Sequence, residues 1–157
     1  MRYAKLIKND IVDGEGVCVS LWFQGCGFRC KNCQNPQTWD KNGGMEIAEE
    51  ELIKEVIEAI DKNGIKRNFS VLGGEPLAPY NVSFAAKIIK IVRQKFPNIK
   101  IYLWTGYVFE NLNEEQKTAI SDVDILIDGP FMQDLRDITL PLRGSSNQRI
   151  IKVRDFE

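Results

Sequence analysis

The sequence predicts an α/β fold, an open partial β/α barrel on a mainly parallel sheet of about five or six strands, in one domain covering residues 1–157. Three observations predict it. Short runs rich in β-branched and aromatic residues alternate with segments whose apolar residues recur at helical spacing. The strands are too few for the eight of a closed barrel. The least ordinary residues, three clustered cysteines and a glycine pair, fall in loops after predicted strands, where open α/β sheets bind ligands.

Taken in order, residues 17–23 alternate and are β-branched and aromatic, which predicts a strand, and a cysteine-bearing loop follows over 25–35. Residues 46–62 carry Ile53, Val56, Ile57 and Ile60 at helical spacing, and Asn63-Gly64 supplies a stop. Residues 69–72 form a short strand that runs into Gly73-Gly74. Asn81 reads as the cap of a helix to about Lys95, with Ala85, Ile88, Ile89 and Val92 inward and Pro97 beyond its end. A strand over 101–104, a short helix over 114–120 and strands over 123–127 and 148–153 complete the pattern. Ligand-facing loops are then expected at 24–35, 73–76, 105–107 and 128–131.

Hydrophobic residues at 43% suffice for one packed core, and a formal net charge of -1 argues against a dedicated nucleic-acid binder. No apolar run approaches a membrane span or a signal peptide, so a cytoplasmic location with reduced thiols is expected. There is no histidine, which removes the commonest general base together with Ser-His and Cys-His mechanisms. Chemistry must therefore come from a cofactor or from carboxylates.

Cys26, Cys30 and Cys33 place three thiols within eight residues, with three residues and then two between them. A structural zinc site closes its shell with four protein ligands. Here no histidine is available, and Cys18 lies upstream in a predicted strand. Three thiolates on a [4Fe–4S] cluster would leave one iron open to a small molecule. On cysteine arithmetic alone, an incomplete or shared zinc site and a cluster of inert thiols stay open. Gly73-Gly74-Glu75-Pro76 ends the next predicted strand, its glycines permitting close approach of a ligand and its acid suited to an ammonium group. Alone, that tetrapeptide is more often a plain turn. Residues 143–148, Arg-Gly-Ser-Ser-Asn-Gln, read as a surface loop whose backbone amides suit an anion.

At the cysteine triplet the sequence resembles the radical S-adenosylmethionine (SAM) superfamily, whose signature is CxxxCxxC. The resemblance implies a [4Fe–4S] cluster on Cys26, Cys30 and Cys33, with SAM on the open iron as source of a 5′-deoxyadenosyl radical. It implies that Gly73, Gly74 and Glu75 hold the methionine end of SAM, and that Asn32 and Gln34 approach the adenine or the cluster. Thr105 and Asp128, at the ends of the next two strands, are expected at the SAM ribose or the substrate opening, or else as plain turn residues. Asp10-Ile-Val-Asp-Gly-Glu-Gly16, Trp39, the GGEP segment, Trp104-Thr-Gly-Tyr107, Asp128-Gly129 and residues 143–148 occur in the same order in activating proteins of anaerobic (class III) ribonucleoside-triphosphate reductase. That closer resemblance implies abstraction of hydrogen from one backbone glycine of the large reductase subunit. It also implies a reducing protein such as flavodoxin or ferredoxin as a further partner. Cys18 stands where many relatives carry arginine, and reads as a small buried hydrophobe. A radical SAM enzyme with another substrate, a non-catalytic zinc or iron–sulfur protein, and an inactive partner-binding subunit are the alternatives.

Overall fold

The computed structural model describes residues 1–154, so the last three residues of the expected 1–157 domain lie outside the described residues. Seven strands form one open sheet: β1 (Arg2–Asp10), β2 (Cys18–Phe23), β3 (Met45–Glu46), β4 (Asn68–Gly73), β5 (Ile101–Trp104), β6 (Ile125–Asp128) and β7 (Arg149–Lys152). Their order is β3-β1-β2-β4-β5-β6-β7, with β2, β4, β5 and β6 mutually parallel and the outer pairs antiparallel. Three α-helices, α1 (Glu49–Ile60), α2 (Val82–Lys95) and α3 (Glu114–Ile120), make the crossovers between the parallel strands. No helix among the described residues is long and apolar enough to cross a membrane.

Each expected helix and strand has its counterpart, shifted by at most a few residues at its ends. The two strands beyond expectation are β1 and β3. The first mixes Arg2, Lys5, Lys8 and Asp10 with its apolar residues, which hides the period-two signal. It becomes a strand because it pairs antiparallel with β2 while Tyr3 and Leu6 pack on the core. The two-residue β3 is too short to carry any pattern, and it exists only by pairing with Arg2 and Tyr3.

The central strands are covered on both faces, which is why all six residues of β2 are buried. Val19, Leu21, Phe23, Phe69, Val71, Ile101, Leu103 and Leu126 join one apolar cluster with Leu52 and Val56 of α1 and Ala85, Ile88, Ile89 and Val92 of α2. The intervening residues point to the opposite face and are more polar: Ser20 and Trp22, Ser70, Tyr102 and Trp104. The loop from β1 to β2 closes over that second face. The Asp13 carbonyl accepts from Ser70 Oγ, and the Glu15 amide donates to the Tyr102 hydroxyl.

Asn81 differs from its expected role. Its side chain accepts no capping bond at the start of α2; instead Nδ2 donates to the carbonyls of Gln24 (2.9 Å) and Glu75 (3.0 Å). A buried amide that reaches carbonyls of two separate loops is held there in preference to capping the helix.

A buried ion pair fixes the far end of the sheet. Arg93 of α2 donates to Asp124 Oδ2, and the same oxygen accepts from the Ile101 amide at 2.7 Å. Asp124→Ala takes the carboxylate from the buried Arg93 charge, which keeps only the carbonyls of Asp122, Pro97 and Ile99, and leaves the Ile101 amide unpaired, so unfolding in urea should show a loss of about 3–5 kcal/mol.

Candidate functional site

The loops at the carboxyl ends of β2, β4, β5 and β6 surround a cavity of about 510 Å³, within the usual range for small-molecule sites. Cys26, Cys30, Cys33 and Gln34 border it from the first loop, Gly73, Gly74 and Glu75 from the second, Thr105 and Gly106 from the third, and Gly129, Pro130 and Phe131 from the fourth. Of the residues singled out in the sequence, Asn32 and Asp128 do not border it. Asn32 is exposed, with a left-handed backbone (φ 60°) that turns the chain between Cys30 and Cys33. Asp128 is buried, its carboxylate taken up by the Arg149 guanidinium and the Phe109 amide. It therefore anchors β7 and the loop after β5.

All three loop cysteines are free thiols, half-buried and on one cavity. The amides of Phe28 and Arg29 reach Cys26 and favour its thiolate, and the Asn35 amide donates to Cys33 Sγ at 3.4 Å. Burial nevertheless pushes the Cys26 thiol up, those two amides offset part of it, and nearby Glu75 adds to it. Bound metal supplies the remaining drive for deprotonation. Among the described residues no three His, Cys, Asp or Glu side chains are gathered as for a single metal ion. Three free thiols on one cavity, with no histidine in the chain and no fourth cysteine in reach, are a donor set that fits a [4Fe–4S] cluster keeping one iron open. Cys18 supplies no fourth ligand: it is fully buried at the opposite end of β2, roughly 16 Å along the strand from Phe23 at 3.3 Å per residue.

The glycine pair is required by backbone packing. Gly73 has φ 110°, and a Cβ there would lie 2.5 Å from the Phe23 nitrogen; one on Gly74 would lie 2.4 Å from the Gly25 oxygen. The amides of Gly74 and Glu75 donate to the carbonyls of Phe23 (2.9 Å) and Gly25 (2.7 Å). These donors are thus consumed by the chain leaving β2. What the segment offers a ligand is acceptors, the polarity an ammonium group needs.

Glu75 is buried, and its carboxylate accepts three hydrogen bonds, from Leu77 N (2.9 Å), Thr105 Oγ1 (2.8 Å) and Gly106 N (2.7 Å). Burial pushes its carboxyl up to about 7, against the opposing pull of those donors. Thr105 in turn accepts from the Tyr107 amide, so its hydroxyl is committed to orienting Glu75.

Further stretches also border the cavity: Val12 and Asp13, Thr38 and Trp39, Ile138, Leu140 and Leu142, and Arg143, Gly144 and Gln148 of the loop that the sequence offered for an anion. Asp13 sits half-buried beside Asp10. Burial and that neighbouring carboxyl raise it to about 7. Burial acts on Asp10 in the same sense, but hydrogen bonds from Asp13, Ser20 and the Val12 amide outweigh it and lower its carboxyl. The 143–148 loop does not hold its amides open for an anion. Gly144 and Ser145 both donate to Gln148 Oε1, while Asn147 and Gln148 donate to the carbonyls of Pro130 and Gly129. The loop is stitched to the end of β6 and walls the cavity there. Its polar, glycine-containing composition and its place among the motifs in order are the sequence signals of a role for it.

Comparison with known proteins came to the same region of chemistry. A family model described as a 4Fe-4S single cluster domain matches residues 12–151. The anaerobic ribonucleoside-triphosphate reductase-activating protein of Escherichia coli (strain K12) is 36% identical over 155 residues, covering 98% of this chain and 100% of its own. Proteins of the same name from Vibrio cholerae serotype O1 and from Enterobacteria phage T4 are each 34% identical over 150 residues. Both alignments cover 96% of this chain, with 97% and 93% of the respective relatives.

The glycine geometry is directly testable. Gly73→Ala should lose at least about 1–3 kcal/mol in chemical denaturation, from the positive φ and the clash with β2. Gly27→Ala, whose Cβ meets nothing within 4 Å, should stay within about 0.5 kcal/mol of the parent.

Proposed function

The chain belongs to the 4Fe-4S single cluster domain family and to the anaerobic ribonucleoside-triphosphate reductase-activating proteins, and on that premise we propose that it installs a glycyl radical on the large subunit of an anaerobic ribonucleotide reductase. The single observation that carries this reading is the shared cavity. One wall holds three free thiols in the CxxxCxxC spacing, and the adjoining wall holds the acceptors of Gly73, Gly74 and Glu75. With a [4Fe–4S] cluster and SAM bound, the pair supplies reductive cleavage of SAM to a 5′-deoxyadenosyl radical, which removes a hydrogen atom from the target glycine.

The chain's own residues bind, orient and exclude water. Cys26, Cys30 and Cys33 hold the cluster as thiolates. Glu75 and the backbone after β4 take the SAM ammonium group, and the Thr105 hydroxyl and Gly106 amide keep the Glu75 carboxylate turned towards that wall. Gln34 lies on the cavity and is assigned to the nucleoside or the cluster. Asn32 contributes through its turn, and Asp128 through Arg149, so both act by shaping their loops. Trp22, Trp39, Trp104 and Phe131 supply apolar walls that shield a reactive radical from solvent. No side chain needs to act as an acid or base on the glycine.

On the same reading the open sheet, with its ligand loops at one end of four parallel strands, is a partial β/α barrel, and residues 1–157 are one domain. A reduced intracellular compartment suits four unpaired cysteines. A reducing protein such as flavodoxin or ferredoxin delivers the electron.

The decisive experiment is anaerobic. Protein reconstituted with iron and sulfide, reduced with dithionite and given SAM should form 5′-deoxyadenosine, and Cys26→Ala, Cys30→Ala or Cys33→Ala should each abolish both cluster uptake and product. A cysteine variant with undiminished SAM cleavage, or a protein that takes up zinc in place of iron, would refute the assignment.

Glu75 makes SAM affinity depend on pH. Its carboxyl, raised to about 7 in the free protein, must be ionised to pair with an ammonium. Affinity should therefore rise with pH by up to about tenfold per unit below 7 and level off above it. Equilibrium binding of SAM across pH 5.5–8.5 should show this slope, and Glu75→Gln should flatten it.

A further inference from the structure

The chemistry proposed above consumes an electron that the chain has no second centre to supply. Beyond the three loop cysteines there is one more, Cys18, and it is fully buried. A second cluster would need thiolates that the sequence lacks. The electron therefore enters from another protein. Transfer between proteins falls off steeply with distance, so it enters across the surface nearest the cysteines.

That surface is the outer side of the cysteine loop, and it is basic. Residues 24–41 carry Arg29, Lys31 and Lys41 against a single acid, Asp40, in a chain whose net charge is -1. All three cations are exposed, and none takes part in the ion pairs found among the described residues. Elsewhere Arg2, Lys87, Lys100 and Arg149 each hold a glutamate. Solvated lysines are ordinary on a surface. These gather around two aromatic rings that abut a ligand cysteine. The Arg29 guanidinium stands over the Trp39 ring, 5.6 Å from its centroid, and the Lys41 ammonium over Tyr80 at 5.9 Å.

Both rings touch the chain at Cys26. The Trp39 carbonyl accepts from the Cys26 amide at 3.0 Å. Tyr80 is 48% exposed, and a Cβ on Gly25 would meet its ring at 2.5 Å and the Lys41 Cβ at 3.1 Å. Burial raises the Tyr80 hydroxyl above its usual range, Cys26 and Glu75 add to it, and Arg29 opposes them. That cation is thus within electrostatic reach of both rings. Arg29, Lys31, Lys41 and Tyr80 do not line the cavity, so this surface lies outside the space for SAM.

Exposed aromatic residues and arginine are where protein interfaces concentrate affinity, and unpaired cations around them draw a partner of opposite sign. We propose that the surface formed by residues 29–41 and Tyr80 is the docking site of an acidic electron-transfer protein. The donor's acidic rim meets Arg29, Lys31 and Lys41, and the edge of its cofactor rests over Tyr80 and Trp39. One electron leaves the donor's cofactor, which is oxidised, and enters the cluster, which is reduced; no bond forms or breaks in that step. This inference rests on the function proposed above and adds the place where the reductant binds.

The test uses the whole chain reconstituted with its cluster, an acidic flavodoxin and an acidic ferredoxin. Association with each oxidised donor is measured by sedimentation. Formation of 5′-deoxyadenosine is measured separately with reduced donor and with excess dithionite. Association and donor-driven product should both fall as ionic strength rises, because exposed charges are screened. Lys31→Glu with Lys41→Glu should weaken association by about tenfold or more and slow donor-driven product to match, with dithionite-driven product at the parent level. The milder Lys31→Gln with Lys41→Gln should move in the same direction if the first folds poorly. Double variants that bind the donor as the parent does, with product falling equally under dithionite, assign the lysines to the charge of the cluster and overturn the docking site. A parent that binds neither donor overturns it as well. If the parent forms 5′-deoxyadenosine with dithionite but association ignores both lysines, the chemistry stands and the docking fails. If association depends on the lysines yet dithionite yields no 5′-deoxyadenosine, the docking stands and the radical chemistry proposed above fails.

Discussion

The Glu75 carboxylate is buried where β4 ends, and the loops around the cavity hang from it. One oxygen accepts from the Leu77 amide and the Thr105 hydroxyl, the other from the Gly106 amide. Those bonds lock the exit of β4 to the exit of β5. The Glu75 amide reaches back to Gly25, and its carbonyl is held by Asn81, which also grips Gln24. The chain leaving β2, which goes on to carry Cys26, Cys30 and Cys33, is thereby set against the same point. A single buried acid holding three loops in register is costly to desolvate and costly to disturb. That explains why its proton affinity is raised even with three donors around it.

The two faces of the sheet divide the labour that follows from this arrangement. The face packed on α1, α2 and α3 is apolar throughout, and supplies the hydrophobic burial that holds the strands together. The other face carries Ser20, Ser70 and Tyr102 under the β1–β2 loop, and Trp22 and Trp104 where the cavity opens. Polar residues are tolerated there because each finds a partner: Trp22 donates to Ser20, Ser20 to Asp10, and Ser70 to the Asp13 carbonyl. The acidic residues Asp13 and Glu75 and three thiols meet one cation, Arg143, on the cavity wall. Such a balance suits a ligand that brings positive charge of its own, as the sulfonium and ammonium groups of SAM do.

Much of the fold could be read from the sequence because helices and buried strands announce themselves by period. Ile53 and Val56, or Ile88, Ile89 and Val92, recur at the helical interval and are buried as that interval requires. The first strand escaped because its lysines and arginine interrupt the alternation, and its pairing partner β2 decides its conformation. Asn81 was misread for a related reason. Its type suits a cap or a buried bridge equally, and only the approach of Gln24 and Glu75 from distant parts of the chain selects the second. Val12 and Ile138 carry no local signal as site residues, since only the folded sheet brings the segments that bear them to the cavity.

The sequence by itself determined the chemistry: which thiols lie close enough to share one centre, which segment ends a strand in two glycines and an acid, and that no histidine can take part. These are properties of short spacing and residue type, and they survive in any fold that keeps the loops intact. The tertiary structure alone decided how those pieces are used. It turned the Gly74 and Glu75 amides inward to the chain leaving β2, gave the Thr105 hydroxyl to Glu75, and withdrew Asp128 to Arg149. These outcomes depend on groups well apart in the chain: Gly74 and Phe23, Thr105 and Glu75, Arg149 and Asp128. Local composition specifies what a residue can donate or accept, and only the packing of the sheet specifies to whom.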